Sequence, residues 1–169
     1  MKVLCLRSIL MALTRRYRVV ATGGTFDLVH KGHRALLKRS FDVGDHVIIG
    51  ITSDGLARRM GKNRARKYFD RERELHTYLT REFQGRSYEI AELQDFFGPA
   101  VTRSDVEAVV ASEETLERVE EASRQRHERG NPDLCAVLVK YVLAEDGRPI
   151  STRRITSGEI DKEGRLRRT

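Results

Sequence analysis

Thr22-Gly23-Gly24-Thr25-Phe26-Asp27-Leu28-Val29-His30-Lys31-Gly32-His33 is the stretch that decides how this chain is read. A short β-prone run, Tyr17 to Ala21, leads into it, and Ala35, Leu36, Leu37 and Phe41 recur behind it at helical spacing. The pattern is strand, Gly-rich turn, helix N-terminus. Such a corner binds anions, because the first backbone N–H groups of a helix have no internal partner and the helix dipole favours negative charge there. Gly23 and Gly24 let the backbone come close to a ligand. His30 and His33 stand three residues apart, nearly one helical turn, so both rings can serve one place.

Three chemistries could use these residues. An incidental βα turn does not need two His, two Gly, a Thr and an Asp within twelve residues. A metal centre could take His30, His33 and Asp27, but the H-E-x-x-H glutamate is missing and no cysteine lies nearby. A triphosphate site fits best. It is neither a dinucleotide G-x-G-x-x-G nor a G-x-x-x-x-G-K-[ST] loop, since neither pattern occurs.

Outward from this corner the chain alternates strands and helices. Strands are expected at 17–22, at 46–52 (His46-Val47-Ile48-Ile49-Gly50-Ile51-Thr52), at 87–93, at 107–111 and at 134–142. Helices are expected at 31–43, ended by Gly44; from an Asp70 cap to Phe83; and from Glu113 or Thr115 to Arg129, ended by Gly130-Asn131-Pro132. The segment Arg58 to Lys67 reads as a basic loop, Gly98-Pro99 as a loop, and Ile150 onward as a last short helix or loop. This order predicts an α/β doubly wound parallel sheet, with its site at the carboxyl ends of the strands near the switch point. Ser112-Glu113 should then face the site from strand four, or cap the following helix, or both. The ending Ser151-Thr152-Arg153-Arg154 again offers hydroxyls and cations to a phosphate; the alternative is a surface cap with solvated Arg.

Composition sets bounds. At 169 residues the chain is one domain or one domain with tails. The net charge of +7, from 32 basic and 25 acidic residues, suits an anionic small substrate or a nucleic acid. Many of the cations lie in 58–73, which suggests a phosphate-lined pocket. Cys5 and Cys135 form no disulfide framework, and Cys135 reads as a small buried hydrophobe. No apolar run approaches the ~20 residues of a membrane span. Residues 1–15 read as an extension, disordered or from an upstream start with Met11 as the true one. Residues 16–169 then make the single domain.

The motifs also carry a resemblance. Gly24-Thr25-Phe26-Asp27 with His30-x-x-His33 resembles the T-F-D-x-x-H-x-G-H signature of the nucleotidyltransferase superfamily, and the H-x-G-H pattern is shared with class I aminoacyl-tRNA synthetases. Ala144-Glu145-Asp146-Gly147-Arg148-Pro149 and the run Ile150 to Asp161 resemble the A-E-D-G-x-P and I-S-S-T-R-I-x-x-G-E-I-D ending of archaeal-type phosphopantetheine adenylyltransferases. Val47 to Asp54, Ala57-Arg58, Tyr68-x-x-Arg71, Phe97-Gly98-Pro99-Ala100 and Val109 to Thr115 agree, so the resemblance spans about Arg16 to Arg165. Two departures stand out. Arg153 occupies a place where the family has Thr, and Ser123 replaces an Asn while Arg126 is kept.

The resemblance implies a Rossmann-like nucleotidyltransferase fold and a cytoplasmic enzyme of coenzyme A biosynthesis. It implies transfer of AMP from ATP to 4'-phosphopantetheine, with Mg²⁺ carried by ATP rather than by protein ligands and with no nucleic-acid or membrane partner. ATP falls to Thr22, Gly23, Gly24, Thr25, Phe26, His30, His33, Ser112, Glu113, Ser151, Thr152 and Arg154, with His33, His30 and Arg154 catalytic. The acceptor phosphate falls to Thr25 and the basic loop, where Lys62, Arg64, Arg66 and Lys67 are equal candidates. Two alternatives are a cytidylyltransferase or FAD synthetase of the same superfamily and a basic nucleic-acid-binding module. The first is disfavoured because the R-T-x-G-I-S-T-T ending of CDP-forming relatives is absent.

Overall fold

The computed structural model describes residues 16–167. Five strands form one all-parallel sheet: β1 (Tyr17–Gly24), β2 (Gly44–Thr52), β3 (Ser87–Leu93), β4 (Ala108–Ser112) and β5 (Cys135–Val139), in the order β3-β2-β1-β4-β5. The two directions of winding part at β1, which places the switch point at its carboxyl end. β2 explains itself: Val47, Ile48, Ile49 and Ile51 are all buried, as a strand covered on both faces requires. The helices are α1 (Lys31–Val43), α2 (Asp54–Arg59), α3 (Tyr68–Glu82), α4 (Pro99–Thr102), α5 (Leu116–Glu128) and α6 (Thr152–Thr156), with a 3-10 turn at Glu113–Thr115 before α5. α1 buries Leu37, Phe41 and Val43 and passes into β2 with no loop. At that corner Gly44 is extended rather than left-handed, and it is required by space: a Cβ there would lie 2.5 Å from Val20 Cγ2.

The expected α/β sheet and its element order hold, and the differences have local causes. β1 runs two residues further, to Gly24, because Gly23 and Gly24 pair with Gly50 and Ile51. β4 is shifted by one residue, to Ala108–Ser112. β5 stops at Val139 rather than Val142; among the described residues it pairs with β4 alone, whose last pair is Ser112 with Val139. Part of the basic loop is helical: Ser53 Oγ accepts from Leu56 N at 3.1 Å, and Leu56 and Ala57 are buried as α2. Gly98-Pro99 opens α4, with Gly98 at φ 43° and Pro99 in the first turn, where its missing N–H costs nothing. Asp70 is not the cap of α3. Lys67 holds that position, and Asp70 sits in the first turn. Cys135 is half-buried and takes the Tyr17 hydroxyl at 3.0 Å. The expected extension, 1–15, lies outside the described residues.

Beyond β5 a small second cluster, Ala144, Ile150, Ile155 and Ile160, packs against Leu28 of the turn after β1. Two short antiparallel bridges, Leu143 with Pro149 and Ile160 with Leu166, shape it. Lys31 N, at the start of α1, donates to Lys162 O at 3.0 Å. The second informative stretch is thereby seated beside the first. Among the described residues no helix is long and apolar enough to cross a membrane.

Candidate active site

The turn after β1 is held in an unusual shape. Phe26 has φ 48°, a left-handed conformation that costs a side chain about 1–2 kcal/mol. Its ring is fully buried, against His33 at 4.9 Å between centroids. His30 is the N-cap of α1, and its Nδ1 accepts from His33 N at 3.4 Å. The His30 and His33 rings stack at 3.8 Å, tilted by 20°. The two rings therefore stand side by side at the helix mouth, as their spacing allows.

Their protonation follows from their surroundings. Burial pushes His30 down to about 3, helped by the positive fields of His33, Arg34 and Lys162. Burial also brings His33 to about 4, with Lys62 lowering it further and the Leu28 carbonyl, Glu74 and Asp27 opposing. Both rings are neutral at pH 7. His33 Nδ1 lies 2.8 Å from Leu28 O, and a carbonyl only accepts, so the proton is on Nδ1 and Nε2 carries a lone pair. His30 is the reverse: its Nδ1 accepts, so Nε2 carries the N–H.

Geometry separates the four cations of the basic loop. Lys62 Nζ donates to Thr25 Oγ1 at 2.8 Å, which brings an exposed ammonium to the turn. Arg66 is instead committed: its backbone N and Nε reach Asp27 Oδ1 at 2.9 and 3.1 Å, and Nη2 reaches Glu74 at 2.7 Å. Glu74 also takes Lys162 Nζ at 2.8 Å. Paired with two carboxylates, the Arg66 guanidinium is part of the scaffold of the turn. Arg64 and Lys67 are exposed.

The remaining expected residues divide in the same way. Gly23 and Gly24 end β1, at the switch point. The Thr22 hydroxyl is buried and donates to Val110 O at 2.9 Å, so it ties β1 to β4 rather than facing the site. The β1–β4 register, carried on from Ala21 with Val109, sets Ser112 level with Gly24. The Ser112 hydroxyl makes no cap; Thr115 Oγ1 donates to Ser112 O at 3.0 Å, and Glu113 is exposed. Ser151 caps α6 through Arg154 N at 3.4 Å, with Thr152 in the first turn.

Arg154, expected to hold the β- and γ-phosphates with Ser151 and Thr152, is also bonded within its own segment. Its Nη2 and Nε bind Asp146 at 2.5 Å and Glu159 at 3.0 Å, and Nη1 reaches Pro149 O at 3.1 Å. Two carboxylates already neutralise it, so it acts as the clasp of the segment that presents Ser151 and Thr152. Arg153, the departure from the family pattern, is exposed.

Sequence reasoning missed the acidic partners. Asp27, Asp54, Asp146 and Glu159 stand in the motifs, but nothing along the chain says which cation each one meets, and the separations run from 5 residues for Glu159 with Arg154 to 88 for Glu74 with Lys162. Among the described residues no group of three or more His, Cys, Asp or Glu could hold a metal ion.

The assembled corner has a close-approach glycine turn, a helix N-terminus, two stacked imidazoles and a lysine. Donors and positive charge of this kind suit an anionic group. Known proteins bear on which one. The cytidylyltransferase-like family matches residues 21–157. A phosphopantetheine adenylyltransferase of Methanothermobacter thermautotrophicus is 40% identical over 154 residues, covering 91% of this chain and 92% of the relative. One from Methanosarcina acetivorans is 40% identical over 153 residues, covering 88% and 96%. A solved structure of a protein of unknown function from Archaeoglobus fulgidus superposes with a TM-score of 0.61 at 30% identity, covering 71% of this chain and 87% of that one. The chain belongs to the cytidylyltransferase-like family of nucleotidyltransferases, within its phosphopantetheine adenylyltransferase branch.

Proposed function

We infer that the protein transfers the adenylyl group of ATP to 4'-phosphopantetheine, forming dephospho-coenzyme A and pyrophosphate. The observation that carries this is the pairing of two phosphate-directed groups across one turn. The stacked His30–His33 pair stands at the mouth of α1, and Lys62 stands on Thr25, the residue directly after the last strand pair. Relatives of the same length carry that activity in their names.

In the reaction an oxygen of the acceptor phosphate forms a bond to the α-phosphorus, and the bond from that phosphorus to the bridging oxygen breaks, releasing pyrophosphate. No protein nucleophile is required; positioning and charge stabilisation supply the catalysis. The backbone of Gly23 to Phe26 and the α1 N-terminus receive the nucleotide phosphates. His30 Nε2–H is a ready donor, and His33 becomes one on taking a proton. Ser151 and Thr152 offer hydroxyls to the β- and γ-phosphates. Lys62 and Thr25 receive the acceptor phosphate. Mg²⁺ arrives bound to the phosphates of ATP and water. The donors at this corner are imidazoles and cations, and Asp27 is held by Arg66, so the residues present suit an anion and not a bare divalent cation.

Pyrophosphate release tests the reading, with ATP or CTP against 4'-phosphopantetheine, flavin mononucleotide and glycerol phosphate. ATP with 4'-phosphopantetheine should be the productive pair. Release with CTP and glycerol phosphate alone would replace it with a cytidylyltransferase.

A further inference from the structure

The buried stripe of α3 runs through positions 71, 75 and 79, and all three side chains are fully buried. Two are leucines. The third is Arg71, and a charge in the core is costly unless fully paired. Its Nε donates to Arg66 O at 2.8 Å and its Nη1 to Thr25 O at 2.8 Å, with Thr52 Oγ1 at 3.4 Å. Nη2 binds Asp54 Oδ1 at 3.0 Å. The two carbonyls matter most. Thr25 O belongs to the peptide that leads into the left-handed Phe26, and the Thr25 hydroxyl carries Lys62. Arg66 closes the basic loop and holds Asp27. One planar guanidinium therefore spans the turn and the loop.

A second fully buried arginine shows what a purely structural one does here. Arg126 donates to the carbonyls of Pro132, Ala100, Arg103 and Val106. These segments lead into the amino ends of β4 and β5, away from the site.

We propose that Arg71 is a positioning residue for the transfer, fixing the separation between the turn that receives the nucleotide phosphates and the loop that receives the acceptor phosphate. This rests on the reading of the site given above. Lysine keeps the charge for Asp54 but carries its donors on one nitrogen and lacks the planar fork whose Nε and Nη1 reach the two carbonyls separately. The test compares Arg71→Lys with Arg126→Lys, at a temperature where circular dichroism shows both folded. In Arg71→Lys, kcat/KM for 4'-phosphopantetheine should fall on the order of 10²-fold, as a misplacement of about 1 Å can cause, while the Kd for MgATP stays within about threefold. Arg126→Lys should lower Tm and leave both constants near wild type. If Arg71→Lys does not fold, Asp54→Asn, which removes the countercharge from the guanidinium and weakens that hydrogen bond, should raise the acceptor KM several-fold. An acceptor kcat/KM that falls no further in Arg71→Lys than in Arg126→Lys, or an unchanged acceptor KM in Asp54→Asn, overturns the proposal. If wild-type protein turns over a different acceptor, the functional reading fails instead, and the same contrast is measured with that acceptor.

Discussion

His30 and His33 stack face to face at 3.8 Å and present opposite tautomers, His30 with its proton on Nε2 and His33 with its proton on Nδ1. The two rings are therefore not equivalent, and removing either should give a different result. His33→Ala should lower turnover by on the order of 10²–10³, the cost of losing one donor to developing charge, with a much smaller change in ATP affinity. His30→Ala should reduce both affinity and turnover, and should also weaken α1 by about 1 kcal/mol through the lost cap. Steady-state kinetics on variants shown to be folded, with saturating Mg²⁺, decide this. Near-normal turnover in His33→Ala would return that ring to a packing role.

The His33 tautomer has a thermodynamic consequence. With Nδ1–H held by the Leu28 carbonyl, Nε2 can donate to a phosphate only after gaining a proton. In the protein alone this proton is disfavoured, since burial brings the ring to about 4. A bound triphosphate adds negative charge beside it and raises that value. Titration of MgATP at pH 7.5 in two buffers of different ionisation enthalpy should show net proton uptake, approaching one proton per site, and binding should weaken as pH rises. His33→Gln should abolish the uptake. Zero uptake in the wild type would mean that Nε2 does not donate.

Stability should depend on pH in the opposite sense to a salt-bridged histidine. Both rings titrate lower in the folded chain, about 3 and about 4, than the 6.5 they have when unfolded. Between those values the unfolded chain binds more protons, so acid favours unfolding. The contribution is complete above about pH 6.5 and is lost as pH falls toward 4, by at most about 1.4 kcal/mol per pH unit for each ring. Urea midpoints at pH 7 and pH 5 measure it. This window lies above the titration of the carboxylates, such as Asp146, which its arginine partners hold near 2. Equal midpoints at the two pH values would contradict the burial argument.

Lys62 and Arg66 should part company on mutation. Lys62→Ala should raise the KM for the acceptor by about 10-fold or more, the order of a lost charged hydrogen bond, with little change in Tm. Arg66→Ala should instead cost about 1–3 kcal/mol of stability, because it leaves the nearly buried Asp27 carboxylate with the backbone N–H of residue 66 but without its countercharge. Thermal melts alongside acceptor titrations separate the two. A Tm loss confined to Lys62→Ala would reverse the assignment.

The sequence by itself determined the sheet, its winding and the strand-to-helix corner after β1. Those follow from local rules: the β-branched apolar run of Val47 to Ile51 suits a strand covered on both faces, and Gly23-Gly24 leads a strand up to a helix N-terminus, although pairing with Gly50 and Ile51 puts both glycines at the end of the strand rather than in the turn. It also supplied both histidines, because their spacing is set within one helical turn. What only the tertiary structure decided is which charges are available. Lys62, Arg66 and Arg154 look alike in the sequence. Folding brings Asp27, 39 residues away, and Glu74, on the following helix, to Arg66, closes Asp146 and Glu159 around Arg154 from within its own segment, and sets Lys62 on a threonine hydroxyl. The same holds for Arg71, whose partners Thr25, Thr52, Asp54 and Arg66 come from four segments. Coulomb attraction and carbonyl geometry act over a few ångströms in space, and no pattern along the chain records those distances.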